Sequence, residues 1–67
     1  MIYELTKKRT FTLDTEEWRM VLMEVGDKVK VEDANVYIQE PDTKEWHLTI
    51  DMETQHLMND LKEISTE

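Results

Sequence analysis

Leu13-Asp14-Thr15-Glu16-Glu17-Trp18-Arg19-Met20-Val21-Leu22-Met23-Glu24-Val25-Gly26 opens with the marks of a helix N-terminus. Asp14 is a good N-cap, because a short carboxylate accepts from the orphan amides of a first turn. Glu17, three residues on, is placed to reach back to the cap amide and complete a capping box. Leu13 and Trp18 stand at the two positions of a hydrophobic staple. Glu16 and Glu17 also suit the positive end of a helix dipole. Gly26 suits the left-handed residue that closes a helix. The spacing predicts a helix over Thr15–Val25. Trp18, Val21, Leu22 and Val25 fall on its core face, at about 100° per residue. Met20 and Met23 fall on the opposite face. On this reading Trp18→Ala costs about 3–5 kcal/mol through the loss of a buried ring, and Met20 and Met23 form an exposed pair.

Past Gly26 the period changes to two. Val29 and Val31 alternate with Lys28, Lys30 and Glu32, and Val36 and Ile38 alternate with Asn35, Tyr37 and Gln39. Trp46, Leu48, Ile50 and Met52 alternate with His47, Thr49 and Asp51. Asp33-Ala34-Asn35 and Glu40-Pro41-Asp42-Thr43-Lys44 read as turns. Three short strands joined by tight turns predict an antiparallel meander. Leu57, Leu61 and Ile64 return to helical spacing with Met58 beside them, and Asp51 or Thr54 can cap that second helix. Ser65-Thr66-Glu67 reads as a frayed end. In the first thirteen residues Met1, Tyr3, Leu5, Phe11 and Leu13 share one parity. A continuous strand would bury Lys7 and Arg9, so a bend or hairpin is expected around Lys7-Lys8-Arg9.

The expected fold is α+β: a small antiparallel sheet of three to five strands with two helices on one face, in the order β(β)-α-β-β-β-α, as a single domain over residues 1–67. That order is similar to the double-stranded-RNA-binding domain in topology alone. Such a domain needs a basic cluster at the start of its second helix. Here the position reads Glu53-Thr54-Gln55-His56, with no Lys or Arg before Lys62.

Charge narrows the partners. Sixteen Asp and Glu face eight Lys and Arg, for a net charge of −8 over 67 residues. Residues 1–13 carry +2 and residues 14–67 carry −10. An acidic surface repels nucleic-acid phosphates and anionic lipid. Neither direct nucleic-acid binding nor membrane binding is expected, and no apolar run approaches the ~20 residues of a span. The absence of cysteine removes disulfides and thiolate metal sites, and fits a reducing, cytoplasmic setting.

Chemistry finds few parts. With no Cys, one Ser and one Gly, nucleophilic catalysis and a phosphate-cradling loop lack their residues. His47, Asp51, His56 and Asp60 are the one metal-type set, with His56 and Asp60 at i, i+4. His47 and Asp51 belong to a strand directed away from that helix, so convergence is not expected. No enzyme, cofactor or metal is expected.

The expected function is a non-enzymatic protein-binding module, of the small regulatory or inhibitory accessory type found in phages and mobile elements, acting on a basic protein surface. Met20 and Met23 would supply a soft apolar contact. Glu16, Glu24 and Asp27 would steer the encounter. Tyr37 and His47 would add an open sheet face shared with Lys28, Lys30, Asn35, Gln39 and Thr49. One alternative is a nucleic-acid mimic that blocks a DNA- or RNA-binding partner. Another is a structural homo-oligomer, a homodimer for example, or a small subunit of an assembly.

Overall fold

From Lys28 to Met52 the period-two pattern becomes strand, where the alternation places it. The computed structural model describes residues 1–65, and of Ser65 only the backbone. It runs β1 (Ile2–Leu5), β2 (Arg9–Thr12), β3 (Met20–Met23), β4 (Lys28–Glu32), β5 (Asn35–Gln39), β6 (Trp46–Met52), α1 (Gln55–Met58) and β7 (Leu61–Ser65). Five strands form one antiparallel sheet in the order β6-β5-β4-β1-β7, and β2 and β3 form a separate hairpin. The α+β expectation with two helices is therefore wrong: the described residues are mostly β, with one short helix. The likeness in order to the double-stranded-RNA-binding domain lapses with the helices. Thr66 and Glu67, expected as a frayed end, lie outside the described residues, and Ser65 belongs to β7.

The predicted first helix is the hairpin. Arg9, Thr10, Phe11 and Thr12 pair with Met23, Leu22, Val21 and Met20. Asp14–Arg19 is the connection, where Thr15 N–H donates to the Leu13 carbonyl at 2.9 Å and Trp18 N–H to the Thr15 carbonyl at 3.1 Å. Asp, Thr and Glu satisfy turns as readily as caps, so the capping-box pattern served a loop. An isolated eleven-residue helix is marginal in water, and pairing with β2 offers residues 20–23 a full ladder. Trp18 takes φ 49°, a left-handed conformation that is rare for a bulky residue. Gly26 does punctuate the chain, at φ 96°, in the turn between β3 and β4.

The second predicted helix survives as one turn. Thr54 caps it, accepting from Leu57 N–H through its hydroxyl. Residues 61–65 then leave helical spacing and pair with β1, with Tyr3 opposite Glu63 and Leu5 opposite Leu61. The bend expected around Lys7-Lys8-Arg9 falls at residues 6–8, with Arg9 already in β2, and β1 and β2 do not pair with each other. They enter different sheets.

A single core joins the two sheets. The hairpin contributes Phe11, Leu13 and Met23, the large sheet Leu5, Val29, Val31, Val36 and Ile38, and α1 Leu57. Phe11, Met23, Val29, Val36 and Ile38 are fully buried. An isolated bridge between Leu13 and Thr49 ties the hairpin to β6. Across the seven strands the spatial order is thus β3-β2-β6-β5-β4-β1-β7, with β3 and β7 at the ends. Arg9 Nη1 donates to Asp60 Oδ2 at 2.9 Å, which fastens β2 to the turn before β7.

The β4–β5 connection is a two-residue turn. Glu32 pairs with Asn35, and Asp33 and Ala34 take φ 52° and 67°. Both signs match the mirror-image turn that suits the twist of a hairpin, in which glycine is favoured at the second position. Ala34 carries a Cβ penalty there. Ala34→Gly should therefore raise stability by about 0.5–1 kcal/mol, the relief of strain exceeding the added freedom of the unfolded chain. A urea unfolding midpoint checks it.

Candidate functional site

β6 carries the largest departure from the pattern reading. Its alternation is as expected, but the faces are exchanged. Leu48, Ile50 and Met52 are exposed and Thr49 is buried. His47 pairs with Ile38, a core residue, and so lies on the inner side with Thr49. The cause is the hairpin. Leu13 sits across from Thr49, and with Phe11 and Leu13 filling the interior there, a small side chain fits on β6 where a large one would not. Periodicity shows that a strand alternates; which row turns inward depends on what packs against it.

Thr49 also holds an irregularity in place. Tyr37 pairs with Leu48 and Asn35 with Met52, so β6 spends two more residues than β5 over this interval. The Thr49 hydroxyl donates to the Val36 carbonyl at 2.9 Å and accepts from Asp51 N–H at 3.3 Å. Thr49→Val keeps the shape and leaves both backbone groups without that partner. The expected cost is about 1–3 kcal/mol, read as a lower midpoint in urea at unchanged far-UV circular dichroism.

The outer surface of the hairpin and β6 is the most unusual part of the molecule. Met20 and Leu22 share one face of β3 and are 68% and 60% exposed, and Trp18, in the loop before the strand, is 58% exposed. The bridge between Leu13 and Thr49 sets Thr12 beside Ile50 on the outer side, and Thr12 pairs on its other edge with Met20. Asp14 N–H donates to the Leu48 carbonyl at 2.9 Å, which brings the hairpin loop against the start of the same row. Two apolar rows, Met20-Leu22 and Leu48-Ile50-Met52, therefore run along one face with the polar outer row of β2 between them. Isolated exposed apolar residues are ordinary; two aligned rows form a patch. Acids stand at its ends: Asp14, Glu16 and Glu17 in the hairpin loop, and Asp33 and Glu53 near Met52, all exposed.

Of the residues expected to bind a partner, Met20 lies in this patch and Met23 does not. Met23 is fully buried, because positions 20 and 23 face opposite sides of a strand though the same side of a helix. The Met20/Met23 contact is thus corrected. Glu16 is exposed at the hairpin loop. Glu24 and Asp27 instead close the turn after β3: Glu24 N–H donates to Asp27 Oδ2 at 2.8 Å. Tyr37 is half-buried on the outer face, with the Lys30 ammonium 5.0 Å from its ring and 5.1 Å from the Trp46 ring. The open sheet face of Tyr37, Lys28, Lys30, Asn35 and Gln39 is present, but His47 and Thr49 do not belong to it. His47 Nε2 lies 3.1 Å from Glu40 Oε2, and Arg19 Nη2 lies 3.5 Å from Glu40 Oε1. The Arg19 contact ties the hairpin loop to the β5–β6 turn, and the His47 contact ties β6 to the same carboxylate.

The four metal-type residues do not converge. His47 is engaged by Glu40, Asp60 by Arg9, and His56 is exposed on α1. Among the described residues no group of three or more His, Asp or Glu is arranged to hold a metal ion, and no pocket opens. No helix among them is long and apolar enough to cross a membrane. Set against known protein families, curated proteins and solved structures, the chain matches none.

Proposed function

We propose that this chain is a non-enzymatic protein-binding module whose contact face is the outer surface of the hairpin and β6. One observation carries the reading. Met20 and Leu22 on β3 and Leu48, Ile50 and Met52 on β6 are turned to solvent in two rows, with Trp18 exposed in the adjoining loop, in a chain whose core needs every apolar side chain it can bury. Trp and Met suit such a role: the ring supplies area at little entropic cost, and the thioether adapts to an irregular surface.

The partner is a protein with an apolar centre and a basic rim. The acids beside both ends of the rows complement such a rim and accelerate encounter, an effect that salt screens. The apolar centre supplies the part that survives salt. A nucleic-acid mimic would differ here, since its binding would rest on the carboxylates and collapse as salt rises.

Affinity capture from a lysate, eluted in salt steps, compares the natural chain with an Ile50→Glu, Met52→Glu double variant. The reading predicts a protein that resists moderate salt on the natural chain and is absent from the variant. Retention of the same protein by the variant, with release at low salt, contradicts it.

A further inference from the structure

We infer that the free edge of β3 pairs with the β3 edge of a second copy of this chain, in one defined antiparallel register, to give a symmetric dimer. The inference stands on backbone geometry and does not depend on the foreign-partner reading.

Backbone polarity identifies the edge. Leu13 N–H donates to the Arg19 carbonyl at 2.7 Å. In an antiparallel ladder hydrogen-bonded and non-hydrogen-bonded pairs alternate. With Arg9 opposite Met23 and Phe11 opposite Val21, those two pairs are of the bonded kind. Met20 and Leu22 therefore direct N–H and C=O away from β2. β3 pairs with β2 alone, and neither amide donates elsewhere among the described residues. Four strong groups face solvent along one short strand.

Soluble proteins guard such edges with charge, proline or cover. Met20-Val21-Leu22-Met23 has no charge and no proline. The opposite end of the fold is guarded, since β7 carries Lys62 and Glu63. β6 is covered in part by the hairpin at Leu13 and carries His47 and Asp51. The unguarded edge is also the apolar one.

Register follows from two constraints. Residues directly opposite must share a face, so outward Met20 and Leu22 must oppose outward residues. All four free groups should be paired. Setting Met20 against Leu22 of the partner subunit, with Val21 on the two-fold axis, meets both. It makes four new backbone hydrogen bonds. It also joins the exposed Met20 and Leu22 side chains of the two copies on one continuous outer face. Placing Leu22 on the axis instead leaves Met20 opposite Glu24 of the partner subunit and loses the apolar match. The charges at the strand ends are held within each copy, Arg19 by Glu40 and Glu24 by Lys8, so register rests on the backbone groups and the apolar match. The net charge of −8 on each copy opposes association at long range, so the dimer should tighten as salt rises. Capture of a basic partner should weaken, so the two proposals fail in distinguishable ways.

Light scattering after size exclusion, from micromolar to millimolar chain and at low and high salt, reads the mass. The expected result is a monomer–dimer equilibrium that salt favours. Leu22→Pro removes an outward donor that the monomer fold does not use, a place where an edge strand accepts proline. It should raise the dimer Kd at least about tenfold with the circular dichroism of the natural chain. If that variant does not fold, Met20→Lys, at a 68%-exposed position, guards the same edge and should have the same effect. The chain has no cysteine of its own, so Val21→Cys reports the register. Its non-hydrogen-bonded position on the axis sets the two Cα atoms about 4.5 Å apart, within reach of a disulfide. Oxidation should link Val21→Cys chains and leave a Thr10→Cys control unlinked. A monomer at every concentration and salt overturns the inference. So does a dimer indifferent to Leu22→Pro and Met20→Lys, or cross-linking by Thr10→Cys in preference to Val21→Cys.

Discussion

Met23→Glu should leave the chain unfolded, while Met20→Glu, three positions earlier, should leave it folded with stability within about 0.5 kcal/mol of the natural chain. Met23 is completely buried against the core that joins the hairpin to the sheet. The one cation opposite, Arg9, is already held by Asp60 at 2.9 Å, and a buried carboxylate without a partner of its own costs several kcal/mol even after relaxation. That is comparable to the whole stability of a domain this small. Met20 points to solvent, where a charge is readily hydrated. In a helix spanning these residues the two methionines would share a face and the two variants would behave alike. Circular dichroism with a urea titration of each variant reads the difference.

Phe11→Ala is the second large effect. The ring is the largest fully buried side chain, in the one core cluster that the hairpin shares with the large sheet and α1. Its removal loses the transfer free energy of the ring and leaves a cavity that short β-strands cannot collapse around. About 3–5 kcal/mol is expected, enough to populate the unfolded state without denaturant. Trp18→Ala, which the helical reading makes equally costly, should now change stability by no more than about 0.5 kcal/mol, because the ring is 58% exposed. A thermal or urea melt of the two alanine variants side by side ranks the aromatic residues directly.

Much of the sheet was legible in the chain. Val29, Val31, Val36 and Ile38 alternate cleanly, and their strands and turns stand where the pattern put them. Leu5, Phe11 and Leu13 were recognisable as one parity. The stretch from Asp14 to Gly26 was not. Its carboxylates fit a cap or a loop equally well, and Trp18, Val21, Leu22 and Val25 fit a helical stripe by spacing alone. What overrides that spacing is a ladder with Arg9–Thr12, a tertiary fact. β6 failed in another way: its period was right and its inward face was wrong, because Leu13 and Phe11 occupy the space that Leu48 and Ile50 would need. The candidate face inherits both lessons. Met20 lies on it and Met23 leaves it with the helix, while Leu48, Ile50 and Met52 stand where the alternation expects His47 and Thr49 to face outward. An exposed row of large apolar residues cannot be told from a core row by alternation.

The most direct measurement is the set of through-space proton contacts across the hairpin in solution, by nuclear magnetic resonance. Thr12 with Met20 and Thr10 with Leu22 are non-hydrogen-bonded pairs, whose α-carbons approach to about 4.5 Å. Strong α-proton to α-proton contacts within both pairs, with Phe11 ring contacts to core residues of the large sheet, are the predicted result. A run of sequential amide–amide contacts from Thr15 to Val25, with no α-proton contact between the two segments, would restore the helix and contradict the hairpin, the exposed face and the free edge together.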